Sequence, residues 1–199
     1  GKSASGKSTV AQMLADEFSC TVISIDWFYY SEGYELDKVF EEEGQINWDD
    51  PKSIRVNDLI RTIHALKENK AASFTEFDLQ NNCYYPQQRV IQPSSVYVIE
   101  GIFAFSYEEL NKLYDLSVYV ECSNDICKQR RLKRDVEQRK YDAEYALHSY
   151  NTYCLPNQDK FVVCQLEKAD VVLNWNFQNK TGFNSLALLL QHQFNIQRK

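Results

Sequence analysis

The sequence predicts an α/β fold in which a parallel sheet is flanked by helices on both faces, and three observations support this prediction. Short, continuously apolar stretches, such as residues 96–99, alternate along the chain with stretches of helical periodicity. A loop with two glycines, of a type that precedes a helix in such folds, stands at residues 1–9. Acidic residues directly follow two of the apolar stretches, at the sheet edge where the ligands of this fold class gather.

Length and composition fit one domain spanning residues 1–199. The net charge of −6 argues against nucleic acid as a partner, and no apolar stretch approaches the roughly 20 residues that a membrane span requires. The six cysteines include no C-x-x-C pair, which is typical of reduced thiols rather than of a disulfide framework or a zinc site. We therefore expect a cytoplasmic protein that binds neither nucleic acid nor a membrane.

Periodicity predicts the secondary structure in chain order. A helix follows the loop, because Val10, Leu14 and Phe18 recur at helical spacing. Residues 27–50 lack periodicity and predict a long functional loop, and residues 73–86 predict an irregular segment or a hairpin. Further helices are predicted over 54–66, 125–139, 143–153 and 185–194, and strands over 21–25, 96–99, 116–120 and 170–173. No internal repeat or linker divides the chain.

The first nine residues, GKSASGKST, match the phosphate-loop pattern G-x-x-x-x-G-K-[ST]. In this motif backbone N–H groups surround an anion at a helix N-terminus, Lys7 reaches the β- and γ-phosphates, and the Ser8 hydroxyl suits Mg²⁺. The motif predicts a nucleoside triphosphate, either ATP or GTP, and Mg²⁺ as cofactors, with the nucleotide bound by Gly1, Ser3, Ala4, Ser5, Gly6, Lys7, Ser8 and Thr9. Because a strand normally precedes such a loop, we expect a few more residues, forming a buried strand, upstream of Gly1.

Two carboxylates are expected beside the phosphate loop. Asp26 and Glu100 each follow a predicted strand, so both should lie at the same sheet edge as the loop. A carboxylate there can hold Mg²⁺ directly or through water, or can accept a proton from an attacking hydroxyl. Each residue alone could instead be a helix N-cap or a turn acid.

Residues 128–142, which we call the lid, are strongly basic in an acidic protein. Planar guanidinium groups suit the negative charge that spreads over a transferring phosphoryl group. The alternative interpretation is a solvated helix face, which the phosphate loop in the same chain makes less favourable. The cations are Lys128, Arg130, Arg131, Lys133, Arg134, Arg139 and Lys140.

Taken together, these segments resemble the uridine/cytidine kinases of the phosphoribulokinase/uridine kinase group of P-loop enzymes. The resemblance covers nearly the whole chain. Besides the phosphate loop, the similar segments are Asp26–Tyr29 (DWFY), Asn47–Pro51 (NWDDP), Glu100–Phe105 (EGIFAF) and Arg130–Arg139 (RRLKRDVEQR).

The resemblance implies a role for each matched residue. Asp26 would be the base on the 5′-hydroxyl of a riboside, Glu100 would associate with Mg²⁺, and Ser8 would be a metal ligand. Asp49 would hold the ribose hydroxyls, while Tyr29 and Trp48 would line the sugar pocket. Arg134 and Arg139 would contact the ATP phosphates, and Arg131 would reach the ribose. These roles imply ATP- and Mg²⁺-dependent phosphorylation of a small-molecule riboside, such as uridine or cytidine in pyrimidine salvage, by a homo-oligomer.

The segment that should recognise the base departs from the family pattern. Phe77 stands where the family has Tyr, and Asn82 stands where it has His. Tyr141 replaces an Arg of the lid, Ser149 replaces a Gln, and Asp50 replaces a His in the sugar segment. A site that loses hydrogen-bond partners loses discrimination. The acceptor could therefore be a riboside other than uridine, with Phe77 and Asn82 as residues that contact it.

Three alternatives to a uridine/cytidine kinase stay open at this point. A nicotinamide riboside kinase shares the phosphate loop and the aspartate-aromatic segments, but it lacks this long basic lid. A GTPase switch is weakly supported, because Asn179–Gly182 lacks the Asp of a guanine motif. A non-catalytic nucleotide-binding module would fit the altered acceptor pocket, although the residues predicted to transfer phosphate are all present.

Overall fold

The structure is a computed structural model that describes residues 1–31, 41–42 and 45–199. Residues 32–40, 43 and 44, which belong to the predicted loop 27–50, lie outside the described residues.

Helices and short strands alternate along the described chain. In order, the elements are α1 Lys7–Glu17, β1 Thr21–Ser24, a 3₁₀ turn Ile25–Phe28, β2 Glu41–Glu42, β3 Gln45–Ile46, a 3₁₀ turn Pro51–Ser53, α2 Val56–Lys67, β4 Ala72–Asp78, β5 Cys83–Ile91, β6 Tyr97–Glu100, α3 Glu108–Asn111, β7 Val118–Glu121, α4 Asn124–Glu137, α5 Ala143–Ser149, a π turn Tyr150–Cys154, α6 Leu155–Asn157, a π turn Gln158–Val162, a 3₁₀ turn Val163–Lys168, β8 Val171–Asn174 and α7 Lys180–Phe194.

Two parallel strand pairs form the framework of the domain. Strand β1 pairs with β6 so that Ser24 lies opposite Glu100, and β7 pairs with β8 so that Glu121 lies opposite Asn174. Residues of both pairs, with those of α1 and α7, line a mostly apolar cavity of about 600 Å³. Parallel strands covered by helices confirm the predicted α/β class.

Two apolar clusters hold these pairs against the helices. The first surrounds β1 and α2 and includes Ile23, Phe28 and Leu59, each completely buried. The second joins α1, β7, β8 and α7 through residues such as Val120 and Trp175. Burial of each large apolar side chain contributes about 1.5–3 kcal/mol, so the two clusters hold both strand pairs, which form separate two-stranded sheets, against the helices.

Residues 72–91 form an antiparallel hairpin of β4 and β5, which confirms the hairpin interpretation and extends it to Ile91. The ladder shifts register between Thr75 and Phe77. Most side chains of β5 are exposed and the strand contains Pro86, so no alternation of apolar and polar residues reveals it in the sequence. The hairpin turn holds Asn82 at a positive φ of 51°.

Several predicted bounds differ from the observed ones. The helix predicted over 143–153 leaves α geometry after Ser149, where π turns follow. Helix α7 begins at Lys180 instead of Ser185, and α3 has no counterpart in the prediction. All six cysteines are free. Within the described ranges, every helix is too short or too polar to cross a bilayer.

Candidate active site

A side chain at the start of α1 is hydrogen-bonded to the backbone of the phosphate loop. Lys7 Nζ donates a 2.7 Å hydrogen bond to Lys2 O, inside the loop. Burial lowers the pKa of Lys7, although the nearby Glu100 and Asp26 oppose that change. Gly6 has a φ of 109°, and a Cβ there would lie 2.2 Å from Trp175 Cδ1. Both the turn and the close packing of Trp175 therefore require glycine at this position.

Asp26 lies in the 3₁₀ turn after β1, not in the strand, and its backbone N–H bonds to Ser24 Oγ at 3.3 Å. Burial is the main cause that raises its pKa from 3.8 to about 6, and the negative charge of Glu100 adds to the rise. The charges of Lys7, Arg139 and Arg134 act in the opposite direction. A carboxylate with a pKa close to neutral can accept a proton and later release it.

Glu100 lies between two serine hydroxyls. Ser8 Oγ donates to Glu100 Oε2 at 3.1 Å, and Ser24 Oγ donates to Glu100 Oε1 at 3.0 Å. The hydroxyl of Ser8 and the carboxylates of Glu100 and Asp26 are hard oxygen donors, which fit Mg²⁺. Among the described residues, no three His, Cys, Asp or Glu side chains cluster as a metal cage. Mg²⁺ uses few protein ligands and completes its shell with water and phosphate oxygens.

The predicted lid is α4 and the turn that follows it. Arg131 Nη1 donates to Ser3 Oγ of the phosphate loop at 2.8 Å and lies 3.9 Å from Asp49 Oδ1. Arg134 and Arg139 both form ion pairs with Asp135. Their positive charges also favour the ionised form of Asp26 and so oppose the rise in its pKa. Burial and the neighbouring arginines lower the pKa of Arg134. The lid thus joins the phosphate loop to Asp49.

Arg130 is a lid cation with a structural role in this arrangement. Its guanidinium donates to the carbonyls of Ser5, Trp175 and Asn176 at 2.8–3.4 Å. These bonds fasten the phosphate loop to the segment after β8. The guanidinium group of Arg130 therefore binds backbone carbonyls.

The part of the cavity around Asp49 combines this buried carboxylate with an aromatic wall. The backbone N–H of Asp49 bonds to Asn47 Oδ1 at 3.1 Å, which fixes the turn that carries the carboxylate. Tyr29 donates its hydroxyl to Trp48 O at 3.1 Å, and the two rings meet edge to face at 5.5 Å. Phe77 is 2% exposed and packs behind Trp48 and Tyr29, with ring centroids 5.4 and 5.8 Å away.

One cavity of about 540 Å³ brings most of the predicted residues together. Gly1, Ser5 and Phe77 are not among the residues that line it. The predicted residues that do are Ser3, Ala4, Gly6, Lys7, Ser8, Thr9, Asp26, Tyr29, Trp48, Asp49, Asn82, Glu100, Arg131, Arg134 and Arg139, and the substituted Tyr141 and Ser149 line it too.

Sequence reasoning missed several lining residues, which are Leu79, Gln138, Tyr145, Tyr153, Trp175 and Gln178. Tyr145 packs edge to face on Tyr141 at 5.5 Å, so the two form one aromatic surface at the lid end of the cavity. Tyr145 lies in the first turn of α5, close in sequence to Tyr141, and this closeness is the signal that could have found it. Trp175 and Gln178 follow β8, and only the parallel pairing of β7 with β8 brings them to the phosphate loop.

Comparisons with known proteins point to one family. The model of the "Phosphoribulokinase / Uridine kinase family" matches residues 1–182. A uridine kinase of Halobacterium salinarum is 31% identical over 96% of this chain and 81% of its own length. A uridine kinase of Schizosaccharomyces pombe is 28% identical over 99% of this chain, which spans only 44% of that longer protein.

Two solved structures share the fold. A candidate fructose transport system kinase from Silicibacter sp. TM1040 has a TM-score of 0.67 at 20% identity, covering 86% of this chain and 85% of that one. A possible uridine kinase from Bacillus stearothermophilus has a TM-score of 0.55 at 20% identity, covering 87% of this chain and 84% of that one. With the family match over residues 1–182, the chain belongs to the phosphoribulokinase/uridine kinase family of P-loop phosphotransferases.

Proposed function

We propose that this chain transfers the γ-phosphate of ATP to the 5′-hydroxyl of a riboside in a Mg²⁺-dependent reaction, with uridine and cytidine as the preferred acceptors. The observation that carries the proposal is the position of Asp26. Its carboxylate, with a pKa of about 6, shares one cavity with the phosphate loop and with Asp49. The uridine kinase names of the relatives add support for a nucleoside acceptor.

On the donor side, the loop amides and Lys7 would bind the β- and γ-phosphates. Ser8 and Glu100, already 3.1 Å apart, would hold Mg²⁺, with Asp26 beside them. When bound, the ion would neutralise phosphate charge that develops during transfer. Arg134 and Arg139 would stabilise the charge on the equatorial oxygens of the transferring group.

On the acceptor side, Asp26 would take the proton from the 5′-hydroxyl as that oxygen attacks. Asp49 and Arg131 would bind the ribose hydroxyls, because one group accepts and the other donates hydrogen bonds in a buried site. The edge-to-face rings of Tyr29 and Trp48 would form the wall against the sugar. Because Arg131 also contacts Ser3, a ribose bound to Arg131 would have its 5′-hydroxyl close to the phosphate loop.

Around the base, aromatic surfaces would replace directional hydrogen bonds. Tyr141 and Tyr145 present rings at the lid end of the cavity, and Leu79 adds an apolar side chain. Asn82 keeps a donor and an acceptor for a pyrimidine edge. Stacking tolerates different rings, so we expect uridine and cytidine to exceed purine ribosides by only about tenfold, the scale of one weak contact.

The test is a phosphorylation screen in which products are identified by mass. The purified protein is incubated with ATP and Mg²⁺ and with uridine, cytidine, adenosine, guanosine or nicotinamide riboside in turn. Phosphate–proton coupling in the NMR spectrum of the product identifies the esterified hydroxyl.

We expect 5′-monophosphates, formed fastest from uridine and cytidine and lost when Mg²⁺ is chelated. Exclusive phosphorylation of nicotinamide riboside would support that kinase instead, since the base end of the cavity departs from the uridine kinase pattern. ATP binding without transfer to any riboside would support a non-catalytic module and contradict the proposal.

A further inference from the structure

Asp135 lies at the centre of the lid arginines, and its side chain is only 4% exposed. Its Oδ2 atom is 2.5 Å from Arg131 Nε. Its Oδ1 atom is 3.2 Å from Arg134 Nη2 and 3.4 Å from Arg139 Nη1. One buried carboxylate therefore faces three guanidinium groups.

Helix geometry explains why these groups meet. Arg131 is one helical turn before Asp135, on the face of α4 that carries the carboxylate, whereas Arg139 lies in the turn after the helix and reaches back to Asp135. Helix α4 ends at Glu137, and the turn beyond it is fastened by Tyr141 N, which donates to Asp135 O at 3.0 Å. Asp135 thus holds both the side chain of Arg139 and the backbone turn that follows this arginine.

Electrostatics show why a carboxylate is needed at this point. Three guanidinium groups in a partly buried site repel one another, and this repulsion lowers the pKa of Arg134 after the effect of burial. The charge of Asp135 opposes that effect. The one negative charge of Asp135 balances only one of the three positive charges of this group.

The three arginines serve both sides of the cavity. Arg131 reaches Ser3 Oγ and lies near Asp49, whereas Arg134 and Arg139 act on Asp26. Each guanidinium has five N–H donors and uses one or two on Asp135, which leaves the others for phosphate or ribose oxygens.

We propose that Asp135 is a positioning residue that holds Arg131, Arg134 and Arg139 in one fixed array before substrates bind. This role rests on the proposed function, because the array matters for phosphoryl transfer. Donors that are already oriented need no reorganisation when charge develops, and a displacement of about 1 Å can cost about 10²-fold in rate. Asp135 would act through the arginines and touch no substrate.

The test compares Asp135→Asn and Asp135→Glu with the matched control Glu137→Gln. The control removes the same charge from the same helix, two residues away, at an exposed position. Three quantities are measured for each protein: the melting temperature by circular dichroism, the Kd for ADP by calorimetry, and kcat and KM with ATP and uridine.

We expect Asp135→Asn to lower kcat/KM by about 10²-fold and to weaken ADP binding by about tenfold, the effect of one charge-assisted hydrogen bond. Asp135→Glu should recover part of both losses, and Glu137→Gln should match the unmodified protein. In an Arg139→Gln background, Asp135→Asn should reduce kcat/KM and ADP affinity by smaller factors, because one of the arginines that Asp135 positions is already absent.

Several results would overturn the proposal. The first is a lower melting temperature with unchanged kcat and Kd in folded Asp135 variants. The second is an equal reduction of kcat/KM by Asp135→Asn in the unmodified and the Arg139→Gln backgrounds. The third is loss of folding in both Asp135 variants. Each would assign Asp135 to stability alone. If the unmodified protein phosphorylates no riboside, the proposed function fails, and ADP binding still decides whether Asp135 positions the arginines.

Discussion

Ser24 donates a hydrogen bond of 3.0 Å to Glu100, across the carboxyl ends of β1 and β6. The same carboxylate accepts a hydrogen bond from Ser8 at the start of α1. A single side chain thereby links both parallel strands to the phosphate loop. Residues that are far apart in the sequence meet here because parallel strands end at one edge of the sheet.

Lys7→Ala should remove most turnover while the far-UV circular dichroism spectrum stays unchanged. In the proposed reaction the ammonium group binds the β- and γ-phosphates, and in this structure it donates a hydrogen bond to the loop carbonyl of Lys2. Steady-state kinetics with ATP and uridine measure the effect. Lys112→Ala, which removes an exposed lysine paired with Glu108, is the control and should leave turnover unchanged. Normal turnover in a folded Lys7→Ala variant would contradict the assignment of the phosphate loop.

Asp26→Asn should reduce kcat by about 10²–10⁴-fold, the contribution of a general base, with a smaller change in KM. The same substitution should stabilise the fold at pH 7.5. The rise of the Asp26 pKa from 3.8 to about 6 corresponds to about 3 kcal/mol by which the site disfavours the charged form, and asparagine carries no charge.

Thermal unfolding measures that stability gain, with Asp16→Asn on the exposed face of α1 as the control. A variant that retains full kcat, or that melts at a lower temperature than the unmodified protein at pH 7.5, would count against a buried base at this position.

Activity should fall as the pH drops below about 6, because Asp26 must be ionised to accept the hydroxyl proton. The fall in kcat/KM should approach tenfold per pH unit below that value. A pH series with uridine at low concentration measures this acidic limb. The limb should be absent in the residual activity of Asp26→Asn, and an unchanged limb in that variant would assign it to another group.

Asp49→Asn should mainly raise KM for the riboside, since contacts to the ribose hydroxyls exist before the transition state. Asp115→Asn, at a side chain that is 77% exposed, is the control. The unmodified protein should use 2′-deoxyuridine less efficiently than uridine, and Asp49→Asn should narrow that difference. Equal kcat/KM for the two nucleosides in the unmodified protein would show that Asp49 and Arg131 do not bind the 2′-hydroxyl.

Asn82→Ala should reduce the preference for pyrimidine ribosides over purine ribosides from about tenfold to almost none. Asn82 is the polar side chain on the hairpin turn that faces the cavity, and its amide offers both a donor and an acceptor. The ratio of kcat/KM for uridine to that for adenosine measures the preference. Asn81→Ala at the neighbouring turn position is the control for a change in the turn itself. Strict use of pyrimidine ribosides by both the unmodified protein and Asn82→Ala would show that other residues recognise the base.

The sequence by itself determined the α/β class, the phosphate loop and the carboxylates at strand ends, because these features are local. Glycine spacing, apolar runs and the residue that follows a strand depend on neighbours along the chain, and they predicted that Lys7, Ser8, Asp26 and Glu100 share one site. The matched segments also predicted that Asp49 and Arg131 lie there. The β4–β5 hairpin was harder to predict, because its outer strand is exposed and leaves no periodic signal.

Only the tertiary structure decided which of the matched side chains face the cavity. Phe77 occupies a base-recognition position by motif, yet it packs behind Trp48, whereas Tyr145 and Gln178 line the cavity without belonging to any motif. Arg130 and Arg131 are adjacent in the lid, but one binds backbone carbonyls and the other reaches Ser3 and Asp49. The orientation of a side chain depends on the elements packed against it, which come from distant parts of the chain, and the pattern of residue types along one segment does not record them.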